Sequence, residues 1–147
     1  MQAASALRSF YQGRRVLVTG STGFKGSWLC RMLQLLGAEV YGYALEPSTA
    51  PSLWDIASLG EKAPHVMADI RDFDTLSKVF DEFRPQAVLH LAAQPLVIDG
   101  YERPRYTYET NVMGTVNVLE CVRACDATTS FLNVTTDKVY ENLERPG

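Results

Sequence analysis

Arg15–Gly26, RVLVTGSTGFKG, is where an apolar run, three spaced glycines and the start of a helix coincide. Val16, Leu17 and Val18 read as a buried parallel strand, and Gly20, Gly23 and Gly26 follow in the G-x-x-G-x-x-G form of a dinucleotide-binding turn. The first glycine allows a sharp turn at the strand end, the second close approach of backbone to a pyrophosphate, and the third close packing of helix on strand. Backbone N–H groups at the helix N-terminus then face the phosphates. An ordinary strand–turn–helix connection would also place glycine at tight points. The strand before, the amphipathic helix after and a second strand at Glu39–Tyr43 supply the context that the nucleotide reading requires.

Outward from this stretch, Trp28, Leu29, Met32, Leu33 and Leu36 recur at helical spacing across Phe24–Leu36, and Gly37 is a helix stop. Gln2–Gly13 reads as a short lead-in with Phe10 and Tyr11 tucked against the sheet. Glu46–Glu61 reads as a loop carrying one short helix, His65–Ala68 as strand three and Asp74–Phe83 as an amphipathic helix closed by Arg84–Pro85. Ala87–Leu91 has the continuous apolar character of a strand buried on both faces. Pro95–Arg105 reads as a loop, Tyr106–Ala124 as a long helix and Ser130–Thr135 as strand five. Strands and helices alternate, and helices of this size between strands imply right-handed parallel crossovers. The fold expected is α/β, a doubly wound parallel sheet in the order 3-2-1-4-5, as one domain over residues 1–147.

Composition narrows the function. The chain has 147 residues, 46% hydrophobic and 21% charged, as in ordinary soluble globular domains. Its net charge of -3 argues against a nucleic-acid surface. No apolar stretch approaches the roughly 20 residues needed to span a bilayer. Arg8 and Gln12 interrupt any apolar core of signal-peptide type in Met1–Gln12, so a cytoplasmic protein is expected. Cys30, Cys121 and Cys125 fit no metal-ligand spacing and read as packed, reduced thiols.

In doubly wound sheets ligands lie beyond the carboxyl ends of the strands, near the switch between strands one and four. Gly20–Gly26, Ala44–Glu46, Asp69–Ile70, Leu91–Gln94 and Thr135–Lys138 therefore line one candidate crevice. The position where an acid normally accepts the ribose hydroxyls of NAD is Ala44; Glu46, two residues on, is the nearest acid. No Arg or Lys lies between Glu39 and Gly60 to pair a 2′-phosphate, which favours NAD over NADP. Asp69 is placed to accept from an adenine amino group or, equally, to cap the turn after its strand. Thr136-Asp137-Lys138 gathers a hydroxyl, a carboxyl and an amine at one strand end, where a polar turn is the plain alternative. His90 reads as a core histidine in preference to a catalytic one, and His65 carries no signal. Arg103 and Arg105 beside Tyr101, Tyr106 and Tyr108 could hold a phosphate-bearing substrate or simply form a solvated loop.

In order, TGSTGFKGSWL, GYALEPSTAPSLW, DIRD, HLAAQPLV, TNVMGTVNVLE and NVTTDKVYEN resemble the N-terminal half of the CDP-glucose 4,6-dehydratases, a group within the extended short-chain dehydrogenase/reductase family. The resemblance runs from about Phe10 to Glu141. Phe24-Lys25-Gly26 and Thr136-Asp137-Lys138 are the parts that separate this group from its relatives. It implies a tightly held NAD that takes a hydride from C4 of a nucleotide sugar, permits loss of water across C5 and C6, and returns the hydride to C6. Carried over by position, Gly20, Gly23, Phe24, Lys25 and Gly26 contact the pyrophosphate region, Asp69 and Ile70 hold adenine, and Leu91, Ala92, Ala93 and Gln94 line the cofactor. Glu46, Thr110 and Thr135 complete the expected cofactor set. Thr136 hydrogen-bonds the C4 hydroxyl and Asp137 protonates the departing C6 hydroxyl. Lys138 stands where dTDP-glucose dehydratases resemble one another in a glutamate base, and is either that base or an electrostatic helper.

Ser21 stands where the family usually resembles His. The family's Tyr-x-x-x-Lys pair is expected beyond Gly147, so these residues alone are expected to be inactive. One apolar face of Tyr106–Ala124 and the far edge of strand five are expected to be uncovered and to drive self-association into a homo-oligomer. Two other readings remain, a non-catalytic NAD-binding module and a related sugar-nucleotide epimerase.

Overall fold

A computed structural model of the chain describes residues 2–136. Asp137, Lys138 and Tyr140 lie outside the described residues. Parallel strands β1 (Arg15–Thr19), β2 (Glu39–Ala44), β3 (His65–Met67), β4 (Ala87–His90) and β5 (Ser130–Asn133) form one sheet in the order β3-β2-β1-β4-β5. In register, Val16 stands beside Val40 on one side and Ala87 on the other, and Thr19 stands beside Tyr43 and His90. β1 is thus the inner strand at the switch, and Val16, Leu17 and Val18 are fully buried.

The two faces of the sheet carry separate cores. Leu17, Tyr43 and Val88 point toward α5 (Phe73–Phe83) and α8 (Thr115–Ala124), where they meet Leu76, Val79, Phe80, Val118 and Cys121. Val16, Val18, Val40, Ala87 and Leu89 face α2 (Phe24–Leu35) and meet Cys30 and Leu33. Alternate residues of β1 serve opposite layers, as the two-residue strand period dictates. α5 begins at Asp72, whose carboxylate accepts from Thr75 N at 3.1 Å, and ends at Arg84 in the left-handed region before Pro85.

Several local expectations are corrected. The lead-in is a helix, α1 (Gln2–Tyr11); Tyr11 packs on the sheet's α2 layer while Phe10 is half exposed and lies under the Arg14 guanidinium. The segment after β2 holds two short helices, α3 (Leu53–Ile56) and α4 (Leu59–Lys62). Pro95–Arg105 contains helix α6 (Val97–Glu102), and α7 (Pro104–Tyr108) starts with Pro104 in its first turn, where a missing N–H costs nothing. The long helix opens into a π-helical segment at Glu109–Gly114 before continuing as α8. α2 turns a different face inward from the one its large residues suggest: Gly26, Ser27, Cys30 and Leu33 are buried, whereas Trp28 and Met32 are half exposed. Small residues at Gly26, Ser27 and Cys30 allow this helix to sit close to β1, with Leu33 and Leu29 packed on the same core, while Trp28 and Met32 point away.

Candidate functional site

The glycine turn is a steric necessity at two of its three positions. Gly20 has φ +71°, and a Cβ there would lie 2.8 Å from Ala92 N. At Gly26 a Cβ would fall 2.0 Å from Gly20 O, so the first turn of α2 rests directly on the β1 exit. Gly23 differs: its φ is -69°, and a Cβ would meet only Gly20 O at 3.4 Å. Neither the backbone conformation nor the packing of this chain requires glycine there.

Gly23 is also the N-cap of α2 and supplies no side-chain cap, and the first turn contains no acidic residue. Helix geometry leaves the first-turn N–H groups without intrahelical partners, and the aligned peptide dipoles place partial positive charge at this end. Lys25, exposed in that turn, adds a full one. The arrangement suits an anion. Behind it, Ser27 Oγ donates to Ser21 O at 3.1 Å, and Ser21 is buried against Gly42, where a Cβ would clash with Ser21 Oγ at 2.8 Å.

Hydrogen bonds join the crevice loops. Gly20 N donates to Tyr43 O at 2.8 Å and Thr22 Oγ1 to Leu45 O at 2.8 Å, which fastens the glycine turn to the end of β2. Tyr43 Oη donates to Asp69 O at 2.9 Å, and burial with the nearby Asp72 and Asp69 charges pushes its phenol pKa up. Asn117 Nδ2 donates to Ile70 O at 3.0 Å. On the other side of the switch, Thr19 Oγ1 accepts from both Leu91 N and Ala92 N at 3.2 Å. Asn111 grips the Gln94 backbone from both sides, accepting from Gln94 N at 2.7 Å and donating to Gln94 O at 3.0 Å.

His90 is a structural hub. Thr115 Oγ1 donates to Asn111 O and so accepts from His90 Nε2 at 3.1 Å; Thr19 Oγ1, already accepting two amides, gives its proton to His90 Nδ1 at 2.6 Å. The partners specify a neutral ring protonated on Nε2, and burial holds its pKa down at about 4. The core reading of His90 is the one its surroundings support.

The structure gathers Gly20, Gly23, Phe24, Lys25, Gly26, Asp69, Ile70, Leu91, Ala92, Ala93 and Gln94 around the carboxyl ends of β1, β3 and β4, with Glu46 exposed two residues beyond β2. Thr135 and Thr136 follow β5 on the same edge and are exposed. Thr110 lies in the π-helical segment, buried, with its hydroxyl unpartnered among the described residues. Asp69 is engaged by Arg71, whose hydrogen bonds hold its carboxyl below the ordinary range. Arg103 pairs with Asp99 and Arg105 with Glu109, so the two arginines suggested for a substrate phosphate already have carboxylate partners. Sequence reasoning missed Asn111, Thr115 and Asn117, whose side chains tie helix to loop. Burial pushes the thiols of Cys30 and Cys121 up to about 12 and about 11, as inert packed cysteines require. Among the described residues no group of His, Cys, Asp and Glu is arranged to hold a metal, and no helix is long and apolar enough to cross a membrane.

Residues 17–147 match the GDP-mannose 4,6 dehydratase family. CDP-glucose 4,6-dehydratase of Salmonella typhimurium is 50% identical over 137 residues, covering 93% of this chain and 38% of that protein. CDP-paratose 2-epimerase of Salmonella typhi is 30% identical over 133 residues, covering 89% of this chain and 39% of that protein. The chain thus spans about two-fifths of the length of these curated relatives. An epimerase structure from Methanothermobacter thermautotrophicus superimposes with a TM-score of 0.83 at 30% identity, over 97% of this chain and 41% of the other. The UDP-glucose 4-epimerase of Thermus thermophilus in complex with NAD aligns with a TM-score of 0.68 at 34% identity, over 77% of this chain and 35% of the other.

Proposed function

The chain belongs to the GDP-mannose 4,6 dehydratase family, and from that membership we propose that residues 1–147 form the dinucleotide-holding domain of an NAD-dependent lyase that dehydrates CDP-glucose to CDP-4-keto-6-deoxyglucose. The observation that carries the nucleotide part is Gly23: a glycine that the chain's own packing does not need, at an uncapped helix end. Its missing Cβ leaves room for a phosphate to reach the first-turn N–H groups. The 50% identity to a CDP-glucose 4,6-dehydratase supports this substrate over the GDP- and dTDP-sugars of more distant relatives. The NAD complex of a structural neighbour, together with an exposed Glu46 and the absence of Arg or Lys from Val40–Leu59, supports NAD over NADP.

When bound, NAD supplies reversible oxidation at the sugar carbon. This chain's residues bind and orient it: the α2 N-terminus and Lys25 take the pyrophosphate, Asp69 and Ile70 the adenine, and Leu91–Gln94, held by Thr19 and Asn111, form the wall beyond β4. Thr110 and Thr135 belong to the same proposed cofactor set. Thr136 hydrogen-bonds the C4 hydroxyl, Asp137 protonates the leaving C6 hydroxyl, and Lys138 is base or electrostatic helper at C5. The exposed apolar residues of α8 are proposed to pair two copies of the chain.

Calorimetric titration of the chain with NAD and with NADP tests the reading. Binding with NAD preferred is expected. Failure to bind either, in protein whose circular dichroism shows it folded, overturns it.

A further inference from the structure

The turn after β3 is fixed from three sides. Tyr43 Oη and Asn117 Nδ2 hold the carbonyls of Asp69 and Ile70, and Ile70 packs so closely on Gly114 that a Cβ there would lie 2.5 Å from Ile70 Cδ1. Within this frame Arg71 takes the Asp69 carboxylate as a fork. Arg71 N donates to Oδ1 at 2.9 Å, while Nε and Nη2 donate to Oδ2 at 3.0 and 2.8 Å. The opposite side of the same guanidinium reaches Glu109 Oε2 at 3.3 Å, and its carbon lies 4.8 Å over the Tyr106 ring. Glu109 is held in turn by Arg105 Nε at 2.6 Å. A planar guanidinium bound along two edges and stacked on a ring has little freedom to rotate.

An ionised carboxylate offers about four acceptor positions. Oδ2 of Asp69 receives two donors and Oδ1 one, so Oδ1 keeps an acceptor position, on a side chain that is 22% exposed. We propose that Arg71 is a positioning residue for the base of the dinucleotide: by occupying Oδ2 it presents the remaining position on Asp69 Oδ1 as a fixed acceptor for the exocyclic amino group of adenine. This rests on the dinucleotide reading above. It makes discrimination between adenine, which offers an N–H at C6, and hypoxanthine, which offers a carbonyl oxygen there, depend on a residue that touches neither base.

The test titrates the wild-type chain, Arg71→Ala and Arg71→Lys with NAD and with nicotinamide hypoxanthine dinucleotide. Wild type is expected to prefer NAD by roughly tenfold or more, the worth of a hydrogen bond to a charged acceptor. Arg71→Ala is expected to lose most of that preference, to below about threefold, while its affinity for the hypoxanthine dinucleotide changes little. Arg71→Lys, with the charge but no fork, is expected between the two. A purely structural role for Arg71 weakens both ligands alike and leaves the ratio intact, which overturns the proposal. Wild-type binding of both dinucleotides with equal affinity overturns it while leaving the dinucleotide reading in place. Binding of neither by folded wild type removes the dinucleotide reading and this inference with it.

Discussion

Gly23 and Gly26 stand three residues apart in one motif and answer to different constraints. A methyl group at Gly26 meets a backbone oxygen at 2.0 Å, with no flexible side chain to move aside. Gly26→Ala is therefore expected to destabilise the fold by about 3 kcal/mol or more, read as a lower midpoint in chemical denaturation. Gly23→Ala, with 3.4 Å of clearance and a φ that any residue adopts, should stay within about 1 kcal/mol of wild type. Its NAD affinity should fall at least about tenfold, since the methyl occupies the space a phosphate needs. If Gly23→Ala binds NAD as wild type does, the phosphate does not lie over this turn. His90 makes a separate prediction. Its folded pKa of about 4 lies below the ordinary 6.5, so the folded protein resists the proton that the unfolded chain accepts. The neutral ring's contribution is complete above pH 6.5 and is lost as pH falls toward 4, up to about 3 kcal/mol. Stability measured across that range in wild type and His90→Gln should show the steeper decline in wild type; parallel curves would mean that His90 titrates normally.

At the scale of elements, α2 places a lysine where its own dipole disfavours one. Lys25→Glu should raise stability slightly, by about 0.3–1 kcal/mol at low salt, and should weaken NAD binding because a negative charge then faces the pyrophosphate. Opposite signs in thermal unfolding and in titration distinguish a functional Lys25 from a merely tolerated one, whose reversal would leave affinity unchanged. The strands and the glycine turn were legible in the sequence because their signals are local: a run of three buried residues, a fixed glycine spacing, a stop at Gly37. What escaped depends on contacts made at a distance. The buried face of α2 joins Leu33 and Cys30 to Gly26 and Ser27, two small residues that hydropathy does not mark, while the conspicuous Trp28 and Met32 lie on the open side. Asn111 looks like any polar helix residue until the π-helical segment brings both ends of its amide to Gln94, 17 residues away. Of the two roles that spacing leaves open to Asp69, the turn-capping one is visible in the bond from Arg71 N.

At the scale of the whole molecule, the layers are unequally covered. α5 and α8 pack together and bury Val118 and Cys121, yet on the outer side of the same helical run Val112, Met113, Val116 and Leu119 are each between 40% and 53% exposed. On β5, Phe131 packs into the α5–α8 layer while Leu132, and Val134 just beyond the strand, are half exposed. Scattered single apolar residues need no explanation, but a stripe at helical spacing is the form of surface that another helix covers. A second copy of this chain offers the same stripe, and two-fold pairing would bury each against the other. Sedimentation velocity is therefore expected to show a concentration-dependent shift from monomer to dimer, which Leu119→Arg should abolish by placing a charge at the pairing face. Leu119 belongs to no part of the dinucleotide crevice, so Leu119→Arg should bind NAD as the wild type does. A wild-type protein that stays monomeric at high concentration would refute this pairing, and a dimer that persists in Leu119→Arg would move the contact elsewhere, with the half-exposed Leu132 of β5 and Val134 beyond it the next surface to change.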